Sequence, residues 1–152
     1  MQIDYSITTN QQKESVLDVL SFMSSVDLLN DNYCLPTEVK DKAAGQLVLI
    51  NIIGNKRMRT LNNSYREKNV STDVLSFELY EAGVMGELYI CPDDISKNAK
   101  MLKHPFENEL IEIIVHGILH LAGHDHSDQM FSWQKDITER ILTAYEDNRR
   151  TR

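Results

Sequence analysis

The stretch FENELIEIIVHGILHLAGHDH, Phe106 to His126, decides how this chain folds. Leu110, Ile113, Ile114, Gly117, Ile118 and Leu121 recur at the three- and four-residue intervals that line one face of an α-helix. His116 and His120 are four apart, so a helix sets both imidazoles on one face, one turn from each other, as two ligands of a single metal ion require. If the helix continued, His126 would sit roughly 9 Å further along the axis and off that face. The helix therefore has to stop, and Gly123 is the residue type that takes a left-handed conformation at a helix C-terminus with little strain. The chain can then turn back and bring His126 to the other two. The spacing predicts a central helix with a metal site at its C-terminal end, built from His116, His120 and His126.

Working outward, Ile3 to Ile7 reads as a strand. An amphipathic helix follows near Gln11 to Leu29, with Val16, Leu17, Leu20 and Met23 on its buried face, and then a loop over Asn30 to Pro36. QLVLINII, Gln46 to Ile53, is a β-branched apolar run stopped by Gly54 and Asn55, as expected of a central strand. A short helix around Lys56 to Tyr65 comes next. Val74 to Leu79 and Gly86 to Cys91 then form two strands, joined by a hairpin connection through Tyr80 to Met85. Asp93 to Leu102 is helical, Pro105 suits the start of the His-bearing helix, and a last helix runs from about Asp128 to Ala144. No repeat, low-complexity tract or linker interrupts the chain. These observations predict an α+β fold: one domain over residues 1–152, with a small mixed β-sheet covered by helices. At this length roughly 70% of the unfolded surface can be buried.

Composition narrows the function classes. No window approaches the roughly 18 apolar residues of a membrane span, and the first twenty residues lack a basic region followed by an apolar one, so a cytoplasmic protein without membrane contact is expected. Cys34 and Cys91 form no CxxC pair and are expected as reduced thiols packed in the core. The net charge of −7 argues against indiscriminate nucleic-acid binding. Locally the balance reverses: Lys56, Arg57, Arg59, Arg66 and Lys68 stand against Glu67 alone. Arg149, Arg150 and Arg152 form a second cluster, expected as a solvated, frayed tail.

A lone HxxxH is a weak signal, but HxxxHxxGxxH gives every named position a geometric reason. Neutral imidazoles suit Zn²⁺, one per chain, and three of them leave a fourth position for water, which such an ion makes nucleophilic near neutral pH. The competing arrangement is a closed structural site with His124 or Asp125 as fourth ligand. Asp125 can otherwise support a ligand, assist proton transfer or cap the turn. The same string is the zinc pattern of the metzincin proteases, whose first His is followed by a Glu that acts as general base. Here that residue is Gly117, which removes the group a peptidase needs.

HGILHLAGHDH at 116–126, LNNSYREKNVSTDVLSF at 61–77 and GELYICPDDI at 86–95 together resemble the YbeY endoribonucleases, a family of bacterial rRNA maturation factors. The resemblance covers most of residues 47–126. It implies an α+β fold, zinc on the three histidines, cleavage of single-stranded RNA in rRNA processing and ribosome quality control, and contact with the ribosome. The functionally important arginine of the family's LNxxYR motif falls on Arg66. Two residues depart from the family pattern: Glu78 stands where Pro is usual, and Glu87 where Asp is common. The chemistry is compatible, because phosphodiester cleavage builds negative charge on phosphate oxygens that a cation beside the metal can stabilise. Arg66 can supply that cation or make a surface salt bridge; Thr72 and Asp73 can orient it or cap the following strand. Arg59 and Lys68 are candidate phosphate contacts that position RNA without selecting its sequence.

Overall fold

The computed structural model describes residues 1–151. Its order is β1 (Gln2–Ile7), α1 (Lys13–Ser25), α2 (Thr37–Ala43), β2 (Leu47–Ile52), α3 (Asn55–Arg66), β3 (Val74–Glu81), β4 (Val84–Ile90), α4 (Pro92–Leu102), α5 (Phe106–Leu121) and α6 (Asp128–Arg150). A 3₁₀ turn at Asp31–Tyr33 precedes α2. The strands form a mixed sheet in the order β1-β2-β4-β3, with β1 and β4 parallel to β2, and β3 antiparallel to β4. The α+β architecture expected from the sequence is the one observed.

Strand alternation divides the apolar residues between two faces. Val48, Ile50 and Ile52 of β2 and Leu88 and Ile90 of β4 join the main core with α1, α5 and α6. Leu75, with Phe77 and Tyr89 packed alongside, joins Ile53, Met58 and Cys91 in a second, smaller cluster beneath α3. Helices thus lie against both faces. Helix α5 is buried nearly all round, from Leu110 to Leu121, as a helix enclosed between a sheet and other helices must be.

Four local expectations are corrected. In α1, Leu17 is 43% exposed and Val19 takes the buried place, and the helix ends at Ser25, where Val26 adopts an extended conformation. Residues Thr37–Ala43, unassigned from the sequence, are helical. The hairpin is tighter than expected, because β3 and β4 extend until only Ala82 and Gly83 connect them. Both have positive φ (53° and 80°), as a type I′ turn demands. Cys91 is buried as expected, whereas Cys34 is exposed.

Helix α6 also outruns its predicted end at Ala144. Arg149 lies 5.5 Å from the centroid of the Tyr145 ring and Arg150 pairs with Asp147 at 3.6 Å, so these two belong to a helix end rather than a frayed tail. Arg152 lies outside the described residues.

Candidate metal centre

The site begins with how α5 stops. Gly123 has φ +89°; its N–H donates to His120 O at 2.9 Å, and the His124 N–H donates to Leu119 O at 3.1 Å. These two bonds make a Schellman motif, the left-handed terminus expected from Gly123. Two carbonyls left free at the helix end are satisfied from elsewhere. Lys42 Nζ of α2 donates to Ala122 O at 2.8 Å, and the Tyr80 hydroxyl of β3 donates to Leu121 O. The chain then reverses, and Ser127 caps α6 by accepting from the Met130 N–H at 3.1 Å.

The reversal brings three Nε2 atoms together: His116 to His120 is 3.0 Å, His120 to His126 is 3.2 Å, and His126 to His116 is 3.3 Å. Helix α6 fixes two of the rings. His116 Nδ1 donates to Gln134 Oε1 at 2.7 Å, and Gln134 Nε2 donates in turn to Glu112 Oε1 at 3.3 Å. The His126 ring stacks on Phe131, with centroids 5.7 Å apart and an interplanar angle of 2°. Burial, then the neighbouring His116 and His126, push the His120 imidazole below its ordinary value, favouring the neutral ligating form.

This arrangement fits a metal ion. With its Nδ1 proton directed at Gln134, His116 turns a lone pair toward the two other rings, and lone pairs crowded this closely repel unless a cation lies among them. Tetrahedral bonds of about 2.0–2.1 Å place ligand nitrogens about 3.3 Å apart, close to the separations found. His116, His120 and His126 are also the group whose ligating atoms lie mutually near enough to hold an ion.

An open cleft of about 260 Å³ adjoins the triad, lined by Arg66, Ser76, Glu78, His120, Gly123, Asp125 and His126. Arg66 and Asp125 therefore share the site with the histidines, and neither makes an ion pair or side-chain hydrogen bond among the described residues. Arg59 lies apart, in a neighbouring cleft of about 340 Å³ with Asn55, Lys56, Asn69, Val70 and Ser71; Lys68 is exposed and lines neither.

Other sequence readings resolve differently. His124 is not a fourth ligand, since its ring packs 5.0 Å from Trp133 and its Nε2 lies 3.8 Å from Glu38. Asp73 does not orient Arg66; it accepts from Asn98 Nδ2 at 3.3 Å, and burial pushes its carboxyl above the ordinary range. Position 117 faces the sheet, where an added Cβ would meet Leu88 side-chain carbons at 2.7 and 2.8 Å, so the glycine lets α5 pack closely on β4 and a larger side chain has no room there. Glu87 accepts from the Tyr89 hydroxyl at 3.2 Å, away from the cleft, whereas Glu78 lines it.

Sequence reasoning missed Gln134, Glu112, Phe131 and Ser76 as site residues. Nothing in the local pattern singles out the first three, since Phe131 and Gln134 lie on α6 and reach the histidines only when that helix folds back on α5, and Glu112 gains its part through Gln134. Ser76 and Glu78 could have been found, because alternation on an edge strand puts them on one face opposite Leu88 and Gly86.

The chain is thus an α+β protein that presents three convergent imidazoles, able to hold one metal ion, beside a cleft containing an arginine with no ion-pair partner among the described residues. A family model described as Endoribonuclease YbeY matches residues 6–143, and the chain belongs to that family. Among its relatives is an endoribonuclease YbeY of Thermotoga sp. (strain RQ2), 37% identical over 118 residues, which are 73% of this chain and 79% of the relative. Another, from Geobacillus sp. (strain WCH70), is 33% identical over 92% of this chain and 96% of its own. The solution structure of TM1509 from Thermotoga maritima superposes with a TM-score of 0.66 at 29% identity, covering 97% of this chain and 93% of that one.

Proposed function

We propose that this chain is a zinc-dependent endoribonuclease that cleaves single-stranded RNA in the cytoplasm during rRNA maturation and ribosome quality control. The observation that carries the reading is the presence of Arg66, without an ion-pair partner among the described residues, in a cleft lined by His120 and His126, whose Nε2 atoms lie 3.0–3.3 Å from each other and from that of His116. Family membership and the relatives' names support the nuclease class. The whole chain acts as one catalytic domain, and no helix among the described residues is long and apolar enough to cross a membrane.

His116, His120 and His126 would hold the zinc ion, which supplies Lewis acidity toward the phosphate and lowers the pKa of water at neutral pH. Around it the chain's own groups bind and orient. Arg66 takes the phosphate oxygens on which charge accumulates, and its planar fork suits two of them at once. Arg59 and Lys68 hold neighbouring phosphates, and Asp125 accepts a proton at the mouth of the cleft. Because the chain carries −7 overall, its intrinsic hold on RNA is weak, and contact with the ribosome or its proteins supplies local concentration.

The test is zinc content by elemental analysis beside cleavage of single-stranded RNA by wild type, His116→Ala and Arg66→Ala. One zinc per wild-type chain, cleavage lost in both variants, and zinc retained in Arg66→Ala are expected. Equal trace cleavage in all three proteins would overturn the reading. A His116→Ala chain that loses its cooperative melting transition would point instead to a ribosome-associated module with structural zinc.

A further inference from the structure

Helix α3 carries two features that its packing does not use. The first is charge. Lys56, Arg57, Arg59, Arg66 and Lys68 are all exposed, and none forms a salt bridge among the described residues. Against five cations the segment sets one anion, Glu67, a local balance of +4 in a chain of net charge −7. Surface helices commonly relieve such crowding with acidic partners one turn away, and α3 has none.

The second feature is Tyr65, which is 65% exposed and precedes Arg66. Its ring is held against Phe77, with centroids 4.8 Å apart at 62°, and Phe77 is held in turn against Tyr89, 5.8 Å away at 83°. The contact fixes the ring's orientation while most of the residue stays in water. An exposed aromatic ring, already ordered and carried on a segment whose cations form no salt bridge among the described residues, has the composition of a stacking platform for a nucleobase on a strand whose phosphates lie along the cations.

We propose that Tyr65 stacks a base of the RNA strand whose phosphate is held by Arg66, and that the strand continues along α3 to the cleft containing Lys56, Arg59 and Asn69. The proposal rests on the nuclease reading above and names what recognises the strand. Arg59 and Arg66 are seven residues apart, so they share a helix face about 10.5 Å apart along the axis. A base can lie on Tyr65 only if it is unpaired, so the platform selects single strands over duplexes. Because every base has a π-face, it does so with little sequence preference. An acidic protein could use the same cations, but it would gain nothing from a base.

The test uses fluorescence anisotropy on the full-length, metal-loaded protein with two labelled probes: octauridylate, and an eight-unit strand in which tetrahydrofuran spacers replace the bases. Wild type is expected to bind octauridylate about tenfold or more tightly than the baseless strand. Tyr65→Ala removes that preference and leaves affinity for the baseless strand unchanged, Tyr65→Phe preserves it, and Arg59→Ala weakens both probes alike. If Tyr65→Ala does not melt cooperatively, Tyr65→Trp decides: octauridylate should quench the emission added to that of Trp133, and the baseless strand should not. A wild type that cleaves RNA but binds both probes equally, or a base preference that survives Tyr65→Ala, overturns the stacking role alone. A wild type that neither binds nor cleaves RNA removes the nuclease reading as well.

Discussion

His116 Nδ1 and Gln134 Oε1 are 2.7 Å apart, a hydrogen bond that joins the central helix to the last one and fixes which His116 nitrogen faces His120 and His126. Gln134 is itself buried, and its amide nitrogen is directed at Glu112. Replacing it with an apolar residue of similar size removes the acceptor while keeping the packing. Gln134→Leu should therefore fold and melt cooperatively but bind zinc about 10- to 100-fold more weakly, as read by competition with a chelator. Unchanged zinc affinity would show that the ring is held by its surroundings without this bond.

Gly117 lies against Leu88, and both are fully enclosed between α5 and β4. A methyl group there gains about 1 kcal/mol of helix propensity but forces two packed layers apart, at about 1–3 kcal/mol. Gly117→Ala should be neutral to about 2 kcal/mol less stable in urea denaturation, and Gly117→Glu should not fold at all. A well-folded Glu variant with peptidase activity would revive the protease comparison.

Glu109 is buried and accepts its ion-pair hydrogen bond from His104 Nε2 at 2.8 Å. Burial, and secondly the charge of Glu112, push its carboxyl above the ordinary 4.5, while His104 opposes them. As pH rises from 4.5 the unfolded chain gives up this proton before the folded one, so the fold loses stability across that window. Removing His104 raises the carboxyl further and widens the window. His104→Ala should cost little at pH 4.5 and about 1–3 kcal/mol at pH 7.5, where the carboxylate is ionised without its donor. A deficit equal at both pH values, measured by denaturant titration, would assign the loss to packing.

The two thiols should differ sharply. Cys34 is exposed, whereas Cys91 is enclosed beneath α3, and burial pushes its thiol from 9.0 up to about 11. A thiol-specific reagent at pH 8 should label one cysteine per folded chain, and the second only in denaturant. By the same linkage, stability falls as pH rises from about 9 to about 11, because the unfolded thiol ionises first. Rapid labelling of both in the folded chain would contradict this enclosure.

Much of the site was legible locally. His116 and His120 share a face by helical period, and Gly123 marks the place where the chain must turn; both depend on residues within one turn of each other. The β-branched run at 46–53 and the alternation at 74–79 likewise gave strands, because a half-buried strand needs its apolar residues every second position. Leu17 shows the limit. Its spacing fits the buried face of α1 as well as that of Val19, and only the direction from which α5 approaches selects between them.

By itself, then, the sequence determined the α+β class, the order of the elements other than α2, and the convergence of His116, His120 and His126, since each follows from short-range periodicity and turn chemistry. The tertiary structure alone decided that Arg66 reaches the histidine cleft while Arg59 opens on another, that Glu78 rather than Glu87 faces the site, that His124 turns away to Trp133, and that Gln134 orients His116. These relationships join residues from 9 to more than 50 positions apart. Their geometry is set by how helices and strand edges pack, for which no local pattern carries a signal.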